Sequence, residues 1–570
     1  MKFARFVFCL FFVICLAVAV YPAVYTVSKI ADTNDGTCDA DCSFREAVTA
    51  ANATPDNDTV YFALPLFASP QTITLSGTEI VIANNGSLTV YGTGANRLTI
   101  SGNNASRIIS ISDNAVVNIS HIRFTGGTGG GAANTGRGGA IYNNGGTTVI
   151  SHCVFTGNTG ANGGAMNNAT AGTLTITDSV LANNNATSVG GALQNFSTST
   201  LHIINTAITG NTCGTSSTGG GAMQGNGAIT MTNVTMSGNS SQASGGGLYY
   251  NGTGLTMTNT TIAGNTAATN AGGLHKSTST NNANIRNSII AGNTGGASPD
   301  ITNVINSLGN NVIGTVGTST GWIGSDLQNQ NPLLSPIGSY GGSGLSQALL
   351  TGSPAINAGQ DCVKDLTCAT NNPPVAVSAD QRGAARSNTV DIGAFEVSTI
   401  YSAVLPSALY NQAYSHTLAP NVGAFTYTAT GGTLPPGVTV NTGAIIASVS
   451  GTPGGPMPGP FNFAVTVTDG ANPAVINYEL NVLANLSIVP VSGRVVNASG
   501  GGLGKLTVTL TDRNGGSRSV LTNGFGYFSF DDVAAAETYT VSVSSKQYTV
   551  TPVIVTIADA YRSLNLTALP

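Results

Sequence analysis

The sequence predicts an all-β chain: a right-handed parallel β-helix of about ten coils, followed by two β-sandwich domains. The first observation behind this is a unit that repeats six times between Gly138 and Asn293. It opens GGAIY (138–142), GGAM (163–166), GGAL (190–193), GGAM (220–223), GGGL (245–248) and AGGL (271–274). It closes FTGN (155–158), LANN (181–184), ITGN (208–211), MSGN (236–239), IAGN (262–265) and IAGN (290–293). The second is spacing. The first apolar residues after the turns are Ile141, Met166, Leu193, Met223, Leu248 and Leu274, giving steps of 25, 27, 30, 25 and 26 residues. A period in the twenties with β-type alternation inside each unit marks a solenoid. The third is a change of pattern after residue 398, where longer alternating runs separated by Gly/Pro turns replace the repeat.

The chain opens with Lys2, Arg5 and an apolar run from Phe6 to Val20, the pattern of a secretory signal peptide over 1–23, with an uncleaved N-terminal anchor as the competing reading. Residues 24–75 follow as an N-terminal cap. Their YTVSKIADTNDGTCDADCSFREAVTAAN segment (25–52) reads as a strand, an acidic loop and a short helix. Through Cys42-Ser-Phe44-Arg45-Glu46-Ala47 it resembles the CSLREA-type motif of bacterial secreted β-helix proteins, with Phe44 in the usual Leu position. Independently of that, a first coil has an open edge to cover, and Phe44, Ala47 and Val48 are spaced to cover it.

The β-helix is assigned to 76–320. With the closing residues Phe155, Leu181, Ile208, Met236, Ile262 and Ile290 in register, Ile150, Ile176, Ile203, Met231, Met257 and Ile285 form an inward apolar column. Between the columns lie His152, Asp178, Asn205, Asn233, Asn259 and Asn287, whose last four members predict a structural amide ladder. Phe124, Ile119 and His121 extend the register backwards, and Leu88/Val90, Leu98/Ile100 and Ile109/Ile111 supply earlier strands.

NSLGNNVIG (306–314), DLQNQNPLLSPIG (326–338), LLTGSPAINAG (349–359), DQRG (380–383) and DIGAFE (391–396) together resemble the choice-of-anchor Q region of bacterial β-helix proteins. The resemblance implies a C-terminal cap over 321–397, with Asp380, Arg382 and Asp391 as an ion-pair group. Residues 398–484, with LPPGV (434–438), SGTP (450–453) and FAVTVTDG (463–470), resemble putative-Ig modules of the cadherin-like group. That group sometimes binds calcium between domains; here only Asp469 and Glu479 could contribute. Residues 485–570, with VSGRVVNASGGGLGKLTVTL and TNGFGYFSF (522–530), resemble the carboxypeptidase-regulatory-like β-sandwich, a label that implies no peptidase activity.

Composition narrows function. Among 570 residues only 8 % are charged and the net charge is −5, which supplies no footprint for nucleic acid. After the leader no apolar run reaches membrane-spanning length. Cys38/Cys42 and Cys362/Cys368 are close pairs suited to disulfides in an oxidising compartment, whereas Cys153 and Cys213 read as buried thiols.

The densest carboxylate cluster, Asp32, Asn34, Asp35, Asp39 and Asp41 around Gly36, makes calcium the one candidate metal, although Gly36 falls one residue early for a calcium loop. The competing reading is a solvated turn, and no cofactor is required. His121 and His152 share a column, where a metal pair competes with a hydrogen-bonding substitution for Asn. From Asp113 to Asp300 the only carboxylate between is Asp178, so the central coils cannot hold an acid–base pair. No catalytic residue is therefore assigned.

The expectation is a monomeric, non-catalytic protein of the bacterial cell surface or secreted fraction, with adhesion or carbohydrate binding on its polar faces and the sandwiches as spacers. GGA[IML] with FTGN also resembles the repeats of chlamydial polymorphic outer-membrane adhesins. The alternative is a polysaccharide lyase or glycoside hydrolase with its site at an end of the helix.

Overall fold

A computed structural model describes residues 22–569 except for short stretches, the longest being 215–217, 278–282, 398–401, 421–425, 443–445, 455–458, 469–471, 484–487, 513–515 and 558–560. The signal segment, apart from its last two residues, and Asp469 lie outside the described residues.

A parallel β-solenoid makes nine turns between Asp58 and Ile313, and smaller, mainly antiparallel sheets follow. Among the described residues two sheets have eleven strands, running from Val24–Val27 to Asn306–Gly309 and from Gln71–Thr74 to Leu327–Gln328. A third has eight strands, between Ile80–Ile82 and Leu274–Lys276, and a short fourth begins at Thr159–Asn162. The solenoid's first turn thus starts inside the stretch read from sequence as a cap.

Register follows the repeat. Ile141 pairs with Met166, Met166 with Leu193, Leu193 with Met223, Met223 with Leu248, and Leu248 with Leu274. The column from Ile150 to Ile285 and the column from Phe155 to Ile290 pair in the same way and are fully buried. Phe124 and Phe155 stack at 4.9 Å in this core. The Gly-Gly openings have two separate causes. Gly163 has φ +74°, a left-handed value that L side chains rarely adopt. At Gly164 a Cβ would fall 2.1 Å from the Gly191 carbonyl oxygen of the next coil.

The repeat's closing asparagines form an internal ladder. Each Nδ2 donates to the Oδ1 of the next coil: Asn158 to Asn184 (3.0 Å), Asn184 to Asn211 (3.0 Å), Asn211 to Asn239 (2.9 Å), Asn239 to Asn265 (2.8 Å) and Asn265 to Asn293 (2.9 Å). Each Oδ1 also accepts the backbone N–H of the preceding member, so the buried turn is satisfied. Asn293 donates to Asp300 at 2.8 Å. A terminal group has only to accept, and a carboxylate does that. A second ladder joins Asn143, Asn168 and Asn195 at 2.8 Å per step.

At the first coil the helix Phe44–Asn52 buries Phe44, Ala47, Val48 and Ala51 against the core. Ser43 and Glu46 form a reciprocal capping box at its start. At the other end Val316 and Trp322 pack on the core. The region read as a C-terminal cap instead runs back along the side of the solenoid. Arg286 donates to the Thr370 and Asn371 carbonyls, and Asn233 reaches the Ala379 carbonyl. The next domain joins it through a shared core that includes Ile289, Tyr340, Phe395 and Tyr478. Residues 488–569 form two four-stranded sheets around a separate core. Cys38–Cys42 and Cys362–Cys368 are disulfide-bonded, and Cys153 and Cys213 are free and buried.

Candidate functional site

The column of His152, Asp178, Asn205, Asn233, Asn259 and Asn287 is the corner between the two long sheets. Every member is left-handed, with φ between 47° and 52°. Asparagine and aspartate tolerate that conformation better than other side chains, which accounts for the column's composition. Amide contacts join Asn205 to Asp178 (3.1 Å), Asn233 to Asn205 (3.1 Å) and Asn287 to Asn259 (3.4 Å). Asn259 turns instead to the Asp391 and Gly393 carbonyls. The corner side chains thus serve a second purpose, which is to hold the returning segment 359–394. Asn287 exchanges bonds with Gln360, donating to its carbonyl at 3.1 Å and accepting its N–H at 2.8 Å. Asn233→Leu is expected to cost 1–3 kcal/mol, on the order of one stranded buried polar group. A denaturation midpoint indistinguishable from the parent would contradict this.

The C-terminal part of the returning segment carries a buried charge cluster. Arg382 pairs with Asp380 at 2.8 Å and lies 3.6 Å from the centre of the Phe395 ring. The grouping of Asp380, Arg382 and Asp391 read from sequence is corrected in one respect. The Asp391 carboxylate accepts the Asn357 and Val397 N–H groups (both 2.6 Å), and the second ion pair is Arg386–Glu396 at 2.7 Å. Arg386 also donates to Asn233 Oδ1 at 3.1 Å, locking the segment to the corner. Burial raises the Asp391 carboxyl. Burial, with the Asp391 charge adjacent, pushes Glu396 up to about 7 against the pull of Arg386.

These shifts fix a sign. A raised acid keeps its proton in the folded state while the unfolded chain has released it, so its stabilisation is complete below about pH 4 and lost as pH rises towards 7. Asp300, raised by burial, acts in the same direction. Burial lowers the pKa of His121, His202, His275 and His416, which acts in the opposite direction, so the Glu396 share is read by difference. Between pH 5 and 8 the parent is expected to lose up to about 3 kcal/mol relative to Glu396→Gln. A pH dependence unchanged in that variant would refute the assignment.

At the N-terminal end the acidic residues diverge. Asp32 accepts the Arg45 fork at 2.8 and 2.9 Å and both the N–H and hydroxyl of Ser76. Burial opposes its charge, but these bonds prevail and lower its pKa. Asn34, Asp35 and Asp39 accept N–H groups two residues on, and Asp41 meets Lys29 at 3.0 Å. Among the described residues no three His, Cys, Asp or Glu side chains converge as metal ligands.

The uncovered part of the corner carries an aromatic file. Tyr61 and Tyr91 lie 6.0 Å apart, Tyr91 and His121 4.8 Å, and His121 and His152 4.8 Å with planes 2° apart. Parallel imidazoles direct their in-plane nitrogen lone pairs along parallel planes, so this stack does not chelate one metal between them. Burial lowers the His121 pKa, as does the neighbouring His152. Beside the file, one outward column of the first sheet runs Thr59, Thr89, Asn118, Val149, Thr175, His202, Thr230, Thr256 and Asn284, threonine-rich but interrupted by one valine and one histidine. Sequence reasoning named the two His but missed Tyr61 and Tyr91. Their outward places in the strand alternation were the available signal.

No curated protein sequence matches the chain. Among solved structures, an endo-fucoidan hydrolase of glycoside hydrolase family 107 aligns at 15 % identity, 30 % of this chain, 27 % of that one and a TM-score of 0.14. The major pilin subunit of Bacillus cereus aligns at 10 % identity, 28 % of this chain, 57 % of that one and 0.14. The Bacillus anthracis TIE protein aligns at 13 %, 28 %, 39 % and 0.15. The alignment thus spans about a quarter of the fucoidan hydrolase, and none of these likenesses extends to a whole fold. Family models do match the C-terminal part: residues 397–483 match the putative Ig domain, and residues 490–568 the carboxypeptidase regulatory-like domain.

Proposed function

We propose that the chain works outside the cell as a non-catalytic binding rod, an adhesin or envelope-glycan binder that the Ig-like and regulatory-like domains hold at the bacterial surface. The observation that carries this reading is the use made of the carboxylates at the N-terminal end and in the returning segment. Asp32, Asp380, Asp391 and Glu396 are bound to arginines or backbone N–H groups inside the fold. General acid–base chemistry needs such groups facing a substrate. The surface that does face outward is the threonine-rich column with its Tyr–His file. Two disulfides suit an oxidising compartment. Among the described residues no helix is long and apolar enough to cross a membrane.

A glycan-array and whole-cell binding screen of residues 24–570 tests the proposal, with saturable binding weakened by Tyr91→Ala as the expected result. Incubation with pectins, alginates and glucans, with and without calcium, is expected to yield no turnover. Turnover abolished by Asp391→Ala in a folded protein would establish the alternative, a polysaccharide-degrading enzyme with its site near Asp380–Asp391.

A further inference from the structure

The last domain contains a groove of about 580 Å³ where the outer face of one sheet meets Val520 and Leu521 of the other. The strand Ile488–Asn497 runs between Tyr527–Ala534 and Tyr561–Leu569. Alternation sends Val491, Val495, Phe528, Phe530 and Leu564 into the core. It leaves Ser492, Arg494, Tyr527, Ser529 and Asn565 on the opposite face, lining the groove with Asn523 from the adjoining turn. Register sets Ser492 opposite Ser529, and Arg494 between Tyr527 and Asn565.

Arg494 is fixed in place. Its guanidinium carbon lies 5.0 Å from the centre of the Tyr527 ring, and its Nε donates to the Phe525 carbonyl at 2.9 Å. Among the described residues no carboxylate lines the groove. A guanidinium oriented this way complements an oxyanion, which it can bind with two parallel bonds. The surrounding hydroxyls and amides suit a polyhydroxylated ligand. At the rim, Phe525 and Tyr527 are 73 % and 53 % exposed, offering apolar ring surface to the C–H faces of a sugar.

We propose that this groove binds a segment of anionic polysaccharide, with Arg494 receiving the carboxylate or sulfate. This goes beyond the reading of the solenoid surface, because it makes the last domain a binding module in its own right. The chain's net charge of −5 opposes indiscriminate attraction to polyanions, so retention would have to be local.

Affinity electrophoresis of the full chain through polygalacturonate, dextran sulfate and neutral dextran tests it. Retardation by at least one polyanion and not by dextran is expected, and the two polyanion arms separate carboxylate from sulfate recognition. Arg494→Gln should weaken retention at least tenfold, Arg494→Lys should restore part of it, and Tyr527→Ala should weaken it severalfold. Arg518→Gln, which removes a charge outside the groove, should bind like the parent. Equal retardation by dextran, none by either polyanion, or full retention in Arg494→Gln and Tyr527→Ala would overturn the proposal. Tyr91→Ala leaves this binding intact, which separates it from the solenoid surface.

Discussion

Asn211→Leu is expected to lower the unfolding free energy by about 3–5 kcal/mol, among the largest effects of any single substitution in the chain. Asn211 occupies the middle of the internal ladder. Its Oδ1 accepts both the N–H and the Nδ2 of Asn184, and its Nδ2 donates to the Leu181 and Thr209 carbonyls and to Asn239. Leucine keeps the heavy-atom count and branching of asparagine but is bulkier, so overpacking adds to a mainly polar loss: Asn184 loses its backbone acceptor and Leu181 a donor, in a region closed to water. At 1–3 kcal/mol for each stranded group, the cost exceeds that of Asn233→Leu at the corner. Equilibrium denaturation and hydrogen exchange at the amides of Asn184 and Asn211 would measure it. A cost below 1 kcal/mol would show that water enters the turn and replaces the side chain.

Arg107→Ala is expected to destabilise by about 3–5 kcal/mol, because removing one partner of a buried ion pair strands the other. Arg107 is fully buried and meets Glu79 at 2.6 Å. Its remaining donors reach the carbonyls of Gly129, Asn134, Arg137 and Gly138, gathering the long turn between the Phe124 strand and Ile141. The double replacement Glu79→Gln with Arg107→Met should recover a substantial part of the loss, since no charge then remains buried. A double variant no more stable than Arg107→Ala would mean that the carbonyl contacts, rather than the ion pair, carry the energy.

How far the fold could be read from sequence depended on which contacts repeat. The apolar columns were legible to the residue, because Ile150, Ile176 and Ile203 recur at the coil period and pair directly. The internal ladder was not legible, although its asparagines end every unit. Counting by twos from Phe155 places Asn158 outside. Gly157, at φ +65°, reverses the sense of alternation and turns that side chain inward. The corner asparagines were recognised as a column, but the backbone conformation that selects them was not. The returning segment was illegible for another reason. Its bonds to Asn233 and Thr235 join residues 146 positions apart in sequence, and nothing local announces them. The Glu79–Arg107 pair, a single event within a repeating structure, left no periodic trace.

The internal ladder has a direction. Every asparagine gives its Nδ2 to the coil ahead and accepts from the coil behind, and Asp300 ends the series because it need only accept. Adding one more unit in mid-series would therefore orphan no polar group, since the newcomer fits between any two neighbours. Only the terminus demands a different residue. Rods of this kind can lengthen or shorten by whole repeats through duplication or deletion, and the side segment anchored from Asn233 to Asn287 confines that freedom to the coils nearer the N-terminus.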